Sequence, residues 1–229
     1  MPSATLAMQA MTYTPQSLTE PVGLSVWLLE QPLAAALGMA LAGIVAATLL
    51  RRRERAKLAI PVGGSLIVLA IGVYVLGTLV ETDRERIQSG STAFVEAAVD
   101  GDLEALDELI LESARLAASG STVDDKGRER IKNLSQVQAQ AELIESWRVS
   151  KLQATIDGVN IGTTLFRVRA TPREGRLTIS WWRLHWRRDA SGDWRIATID
   201  CLAINGHEAG PGLLRWLGAA SGGGSPRGF

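Results

Sequence analysis

The sequence predicts an α+β protein in which two membrane-spanning helices precede a domain of three helices and an antiparallel sheet. Two long runs without a charged residue stand in the first 80 positions of the 229-residue chain, and the remainder is densely charged. Within that charged part, apolar residues first recur at helical spacing and then give way to stretches rich in β-branched and aromatic residues. Helices followed by consecutive strands are typical of the α+β class.

The two uncharged runs have the lengths of membrane spans. Residues 32–50 contain eighteen uncharged positions after Pro32, and at 1.5 Å per residue they extend about 27 Å, close to the hydrocarbon thickness of a bilayer. Pro32 suits a first helical turn, where its missing N–H is not needed. Residues 58–80 contain 23 uncharged positions, or about 34 Å, enough to span with some tilt. We therefore expect two transmembrane helices.

Small residues share one face of the first run. They recur every four positions, at Ala34, Gly38, Ala42 and Ala46. Small side chains allow two helices to approach closely in lipid, and the second run offers Gly64 and Gly72 as facing positions. An alanine-rich helix without a specific partner fits the same pattern.

The short loop between the runs predicts the orientation. Five of its seven positions are basic, namely Arg51, Arg52, Arg53, Arg55 and Lys57. Basic residues of short loops are retained on the cytoplasmic side. No Lys or Arg precedes residue 51, so the first run lacks the basic start of a cleaved signal peptide. We expect a multi-pass protein of the cell membrane with loop 51–57 in the cytoplasm and its large C-terminal part outside. A cytoplasmic C-terminal domain is the alternative.

The two ends of the chain differ in composition from the rest. Residues 1–31 contain the acids Glu20 and Glu30 and no basic residue. The stretch around Trp27 predicts a short interfacial helix with its indole at the headgroup level. Residues 207–229 are rich in Gly and Ser and predict a disordered tail. A short apolar turn around Trp216 is expected to touch the bilayer or to cover an opening of the domain.

Three helical patterns begin the domain, which we place at residues 84–206. The tripeptide "DGD" at 100–102 ends the first pattern and offers an Asp cap for the second, and "ASGST" at 118–122 ends the second. The apolar positions of the three patterns are Ile87, Phe94, Val95 and Ala98; Leu103, Leu106 and Ile110; and Ile131, Leu134, Ala141 and Ile144.

Four strands follow the helices. They are predicted at residues 145–158, 163–172, 176–188 and 193–204, where β-branched and aromatic residues are frequent. "DG", "PREG" and "DASGD" separate them as turns. Consecutive strands joined by short turns predict an antiparallel meander.

This order of elements resembles the nuclear transport factor 2-like (SnoaL-like, cystatin-like) superfamily. The resemblance rests on "FVEAAVDGDLEALDELI" (94–110), a helix–DGD–helix entry, and on "LHWRRDASGDWRIATID" (184–200), a hairpin with Trp after its turn. It covers about residues 84–206 and none of the membrane part. It implies a sheet curved into a cone-shaped domain. The superfamily includes isomerases, hydrolases, cyclases, ligand binders and interaction modules, so the fold does not select a function.

The family's catalytic arrangements are incomplete in this sequence. Family isomerases pair a carboxylate base with an oxyanion hole of Tyr and protonated Asp. The two tyrosines, Tyr13 and Tyr74, lie outside the domain, so that arrangement is absent in its usual form. The resemblance also extends to epoxide hydrolases with an Asp–Arg–Asp arrangement. Arg183 and Asp200, on neighbouring predicted strands, supply two of the three members, and His185 is a further catalytic candidate.

The stretch "WWRLHWRR" (181–188) divides into two faces if it forms a strand. Alternation points Trp182, Leu184 and Trp186 to one side, which predicts a core face. The opposite side carries Trp181, Arg183, His185 and Arg187. That side is expected to be solvated, to line the mouth of the cone, or to contact a partner. Trp181, Arg183 and His185 are accordingly the candidates for contacting a ligand or partner.

Several classes of site are disfavoured. The two histidines have no Cys or carboxylate at ligand spacing, so no metal site is predicted. The sequence contains no phosphate-binding glycine loop, so no cofactor is predicted. The single cysteine, Cys201, stands in an apolar stretch as a buried residue. Residues 81–229 carry 19 basic and 21 acidic side chains, and this net negative charge argues against a nucleic-acid partner.

The leading hypothesis is a non-enzymatic membrane protein whose extracytoplasmic domain binds a partner protein or a small apolar ligand. Its partners would be the bilayer, through two spans, and a second protein or another copy of itself. One alternative is a membrane-tethered isomerase, lyase or hydrolase with its site inside the cone. Another alternative is a module for oligomerisation.

Overall fold

The structure is a computed structural model that describes residues 14–18, 32–52, 56–79, 82–173, 175–210 and 212. The described residues fall into two compact units. One holds 14–18 and the chain from Arg86 onward, and the other holds the described residues from 32 to Glu85. The interfacial helix predicted before Pro32 and the apolar turn around Trp216 lie outside the described residues.

The first unit along the chain is a pair of packed helices, α1 (Pro32–Arg52) and α2 (Ala56–Leu79). They approach each other closely at Gly43 and Gly63. A Cβ atom built on Gly43 would lie 3.0 Å from the Cβ of Leu66, and one built on Gly63 would lie 3.0 Å from the Cβ of Ala47. Glycine at these positions therefore allows the close approach typical of membrane helices.

The predicted packing face of α1 is wrong by one position. Ala35 and Gly43 are buried, whereas Ala34, Gly38 and Ala42 are exposed. On α2, a Cβ built on Gly64 or Gly72 would meet nothing within 4 Å. An alanine-rich helix carries more than one stripe of small residues, and the stripe that packs on α2 is the one that holds Gly43, not the one that holds Gly38.

One helix among the described residues is long and apolar enough to cross a bilayer, Leu33–Arg52. The apolar segment described in α2, Ile60–Val75, is shorter. The expectation of membrane-spanning helices is therefore supported for α1, and for α2 it remains a prediction.

Three helices precede and interrupt the sheet of the domain: α3 (Asp83–Asp100), α4 (Leu103–Leu109) and α5 (Gly127–Gln140). The chain reverses between α3 and α4 through Gly101, whose φ of 75° favours glycine. Asp102 then caps α4, because its side chain accepts a hydrogen bond of 3.0 Å from the amide of Ala105. The "DGD" tripeptide acts as predicted.

The sheet contains seven strands in the order β2-β1-β6-β5-β4-β3, with β7 paired to β6. The strands are β1 (Ile110–Ala118), β2 (Ser121–Asp124), β3 (Ile144–Gly158), β4 (Ile161–Pro172), β5 (Thr178–Arg188), β6 (Trp194–Ile204) and β7 (His207–Glu208). The four predicted strands correspond to β3–β6 within two residues at each end. Strand β7 occupies the first residues of the predicted tail.

Two expectations about the sheet are wrong. The second predicted helix ends at Leu109, and its remainder forms β1, which turns through Ser119 and Gly120 into β2. The sheet is mixed, because β1 runs parallel to β6. The segment "ILESARLAA" has helix-favouring residues, but pairing with β6 and burial of Ala114 and Leu116 override that local preference.

The helices cover one side of the curved sheet, which we call the inner face; the other side is the outer face. The main core lies on the inner face and includes Ile87, Phe94, Leu106, Phe166, Leu184 and Trp186. Helix α5 approaches the sheet closely at Gly127, where a Cβ would lie 2.6 Å from the backbone carbon of Arg115. The coarse prediction of an α+β domain is confirmed.

Candidate functional site

A cavity of about 310 Å³ lies on the inner face. Alternation along β4 directs Phe166, Val168 and Ala170 into it, and β5 contributes Ser180 and Trp182. Helices α3 and α5 form the opposite wall through Phe94, Val95, Ala98, Ile131 and Leu134. Apolar walls of this kind suit an apolar ligand.

The polar groups of the cavity wall are few and mostly engaged. Ser135 donates a hydrogen bond of 2.7 Å to the carbonyl of Ala98, and Ser180 accepts one of 2.8 Å from the indole Nε1 of Trp182. The amide of Gln138 also lines the cavity. These groups add polarity at isolated points and no charge.

Cys201 is the one titratable side chain among the described residues that line the cavity. Burial, and then the nearby charge of Asp200, raise the pKa of its thiol to about 12. The thiol is therefore neutral at physiological pH. Among the described lining residues, none supplies a charge or a proton-transfer group for acid–base chemistry.

A buried hydrogen-bond chain fixes the inner face beside the cavity. The indole Nε1 of Trp186 donates to Thr164 Oγ1 at 2.9 Å, and Thr164 Oγ1 lies 2.8 Å from Ser91 Oγ. Ser91 in turn donates to the carbonyl of Ile87 at 2.7 Å. Each side-chain polar group in this series of hydrogen bonds has a partner, so none of them is buried as an unpaired donor.

The predicted site residues lie on the outer face, away from the cavity. In the register of the sheet, Arg183 stands directly opposite Asp200, and His185 stands opposite Thr163 and Thr198. Trp181, Arg183, His185 and Asp200 are absent from the cavity lining, in contrast to Trp182. Arg183, His185 and Asp200 thus lie close together on the outer face but do not line the cavity. Their catalytic and binding roles stay predictions.

Asp200 has a structural task on the outer face. Its side chain is 2% exposed, and both carboxylate oxygens accept from the amide of Gly120 at 3.1 Å. The amide of Ser119 donates to the carbonyl of Cys201 at 2.9 Å. Asp200 thus holds the β1–β2 turn, in which Ser119 and Gly120 have φ values of 49° and 81°.

His185 is half-buried beside Thr163. The hydroxyl of Thr163 donates to Asp157 at 2.6 Å, and its oxygen lies 3.4 Å from Nδ1 of His185. Burial lowers the pKa of His185 below its usual value, and the charge of Arg183 lowers it further, while Asp200 and Asp157 act in the opposite direction. The imidazole is therefore mainly neutral at neutral pH.

The described part of the chain contains no candidate metal site. No group of three or more His, Cys, Asp or Glu side chains converges there as a metal ion requires.

Part of the cavity wall does not follow from the sequence pattern. Alternation predicts Trp182 on the core face, but Leu116 and Ala117 of β1 fall in a predicted helix, and no element is predicted at Val123 of β2. The available signal was "SG" at 119–120, a dipeptide that tolerates positive φ and joins two strands. It was interpreted as the end of a helix.

No protein-family model matches this sequence, and no curated protein matches it either. Solved structures do resemble it. An NTF2-like superfamily protein from Salmonella enterica is 12% identical over 52% of this chain and 88% of its own, with a TM-score of 0.42. An NTF2-like protein of unknown function in nutrient uptake from Rhodospirillum rubrum is 16% identical over 50% of this chain and 95% of its own, with a TM-score of 0.41.

A hexachlorocyclohexane dehydrochlorinase from Novosphingobium barchaimii is 15% identical over 53% of this chain and 86% of its own, with a TM-score of 0.42. At these identities the likeness is one of fold. These structures are what the chain is similar to, and the activity named for one of them is not transferred to it.

Proposed function

We propose that the domain binds a small apolar ligand in its cavity and that α1 and α2 hold it at a membrane. The observation that carries the proposal is the cavity of about 310 Å³ on the inner face, with apolar walls and a neutral thiol as its one described titratable group. Burial of apolar ligand surface in such a cavity supplies the binding energy, at roughly 25 cal/mol per Å².

The lining favours binding over catalysis. Arg183, His185 and Asp200 belong to the outer face, so a ligand in the cavity is separated from them by the sheet itself. A lyase, isomerase or hydrolase that relied on these three side chains would need its substrate on the outer face. The non-enzymatic function is therefore the one we propose.

Exposed apolar side chains support the membrane part of the proposal on both helices. Large residues of α1 are more than half exposed, and so are several of α2. These residues are Leu33, Leu37, Leu41, Ile44, Val45, Leu49, Ile60, Val68, Leu69 and Ile71. Contiguous apolar surface of this extent is not stable in water but matches a lipid environment. The backbone of α2 has 24 residues, about 36 Å, so its length also allows a crossing.

We place loop 51–57 in the cytoplasm and the domain outside it, because five basic residues stand in that loop and none precedes it. Reporter fusions at residue 229 test this orientation. A reporter that is active outside the cytoplasm should work there, and one that requires the cytoplasm should be silent. The reverse pattern would place the domain in the cytoplasm and refute the orientation.

A photoreactive apolar probe tests the cavity in the full-length protein in membranes. A small alkyl diazirine should label inner-face residues such as Phe94, Val168 and Trp182, and excess unreactive alkane analogue should compete. The variant Ala98→Phe fills the cavity from α3 and should reduce this labelling roughly tenfold or more, equivalent to about 1.4 kcal/mol. Ala190→Phe, in the exposed β5–β6 turn, is the matched control and should leave it unchanged.

Labelling confined to α1 and α2, or domain labelling that Ala98→Phe does not reduce, would refute ligand binding in the cavity.

A further inference from the structure

The outer face of the sheet is rich in cations and is covered at one edge. Strand β3 is an edge strand of the sheet, and residues 14–18 belong to the same compact unit as this sheet. The backbone amide of Leu18 donates a hydrogen bond of 3.0 Å to Oε1 of Gln153 in β3. Pro15, three residues earlier, is buried. A short piece of the N-terminal segment therefore sits on the domain.

The side chain of Gln153 identifies the face that this segment contacts. Ala154, its neighbour in β3, is 3% exposed and belongs to the inner-face core, so alternation directs Gln153 to the outer face. The register continues from Gln153 to Leu165 in β4, to Arg183 in β5 and to Asp200 in β6. Leu18 is thus anchored in the row that carries two of the predicted site residues.

Burial in that row is greater than a solvated face would show. Leu165, directly beside Gln153, is 2% exposed although its side chain points away from the core. An apolar side chain on a solvated face would expose much of its surface. Leu165 is thus shielded from solvent on this face, and residues 14–18 contact the same row through Gln153.

Charge also favours the N-terminal segment as the occupant. The outer face carries arginines from three strands, and Arg167 is further positioned by Trp181, 5.8 Å below its guanidinium. Residues 1–31 contain two acids and no Lys or Arg, so their side chains carry no positive charge that this face would repel. The arginines are Arg148, Arg167, Arg169, Arg183 and Arg187.

We propose that the outer face of the sheet is the docking surface of the chain's own N-terminal segment, anchored where Leu18 meets Gln153. The segment occupies part of the face that the sequence predicted for a partner or a second copy. An external partner must then displace it or bind beside it.

The same contact constrains the membrane topology. A segment that touches the domain lies on the domain's side of the membrane. The chain between Leu18 and Arg86 must therefore cross the bilayer an even number of times. If α1 crosses, as proposed above, a second crossing is required, and α2 is the described helix whose length can supply it. This deduction does not use the charge of loop 51–57 and is independent of ligand binding in the cavity.

Cross-linking in the full-length protein in membranes tests the contact. In a Cys201→Ser background, Leu18→Cys combined with Gln153→Cys places two thiols at the proposed anchor. A protease site inserted between residues 19 and 31 allows the chain to be cut after treatment with a short bis-maleimide. We expect the N-terminal fragment to remain attached to the domain after cutting.

The matched control pairs Leu18→Cys with Ser121→Cys. Ser121 is exposed in β2, the opposite edge strand, five strand spacings or about 24 Å from β3. We expect no retention of the fragment in this pair. Equal retention in both pairs, no retention in the Gln153 pair although both thiols react with a monofunctional maleimide, or a link between two chains would each overturn the proposal.

Membrane-impermeant maleimide applied to sealed vesicles tests the topology separately. Single Leu18→Cys and Gln153→Cys variants, also in the Cys201→Ser background, should be labelled from the same side of the membrane. Labelling from opposite sides would overturn both the contact and the even number of crossings. Loss of probe binding in the cavity would leave these results unchanged, so failure of the proposed function and failure of this inference are distinguishable.

Discussion

Strand β5 shows how differently the two faces of the sheet use neighbouring residues. On the inner face, Leu184 and Trp186 are almost fully buried in the main core, and Trp182 borders the cavity. On the outer face, Arg183 and His185 are partly exposed; Arg183 stands between Leu165 and Asp200, and His185 stands between two threonines. The inner-face residues of β5 therefore stabilise the fold and line the cavity, whereas its outer-face residues are available for surface contacts.

A concentration of reactive residue types therefore need not mark a cavity. Arg183, His185 and Asp200 attract attention in the sequence because their side chains can transfer protons or hold charge. In the structure, Asp200 holds a turn and His185 packs beside a threonine. The cavity is lined mainly by apolar residues, and its one described titratable side chain, Cys201, has a pKa raised to about 12.

The largest expected difference between the faces concerns stability. Trp186→Ala removes a buried indole and leaves Thr164 without its donor, so we expect a loss of about 3–5 kcal/mol in the free energy of unfolding. Arg187→Ala, the exposed neighbour, should change it by no more than about 0.5 kcal/mol. Urea unfolding of the full chain in detergent, followed by the emission of the remaining tryptophans, measures both. Similar losses would erase the distinction between the faces.

Asp200 is an exception on the outer face and should give an intermediate effect. Asp200→Ala removes the acceptor of the Gly120 amide, and because Gly120 is exposed, water can take its place, so we expect a loss of about 0.5–1.5 kcal/mol in the same measurement. Asp200→Asn keeps one oxygen acceptor of the same size and should lose less. If the alanine variant is as stable as the parent, Asp200 does not hold the β1–β2 turn.

The smallest expected effect is the pH dependence due to His185. Its pKa is lowered in the folded protein, so the unfolded chain binds its proton more readily. Stability should therefore fall as the pH decreases from about 6.5, the unfolded value, through the lower folded value. His185→Gln should reduce the drop in melting temperature between about pH 7.5 and pH 5. An unchanged drop would assign the dependence to other groups.

The sequence predicted most of the sheet because its signals are local. Strands β3–β6 contain β-branched and aromatic residues bounded by turn residues, and their ends lie within two residues of expectation. Alternation also assigned both faces of β5 correctly. Neither result required knowledge of which strands are neighbours.

The missed features depend on contacts between distant parts of the chain. Strand β1 exists because its backbone pairs with β6, some eighty residues later, and its own residues favour a helix. The packing stripe of α1 depends on which glycine meets α2. The position of the cavity required the curvature of the sheet and the placement of α5, neither of which a periodic pattern encodes.

The reactivity of Cys201 can be used to measure how often the domain opens. The thiol is 1% exposed, borders the cavity and has a pKa of about 12 in the closed fold, so a thiol reagent can react with it only after β6 is uncovered. The chain has no other cysteine. The rate of modification in the parent protein therefore records how often the interior becomes accessible, without any added label. A ligand in the cavity should slow the modification of Cys201, so an unknown ligand can be detected by the decrease in this rate.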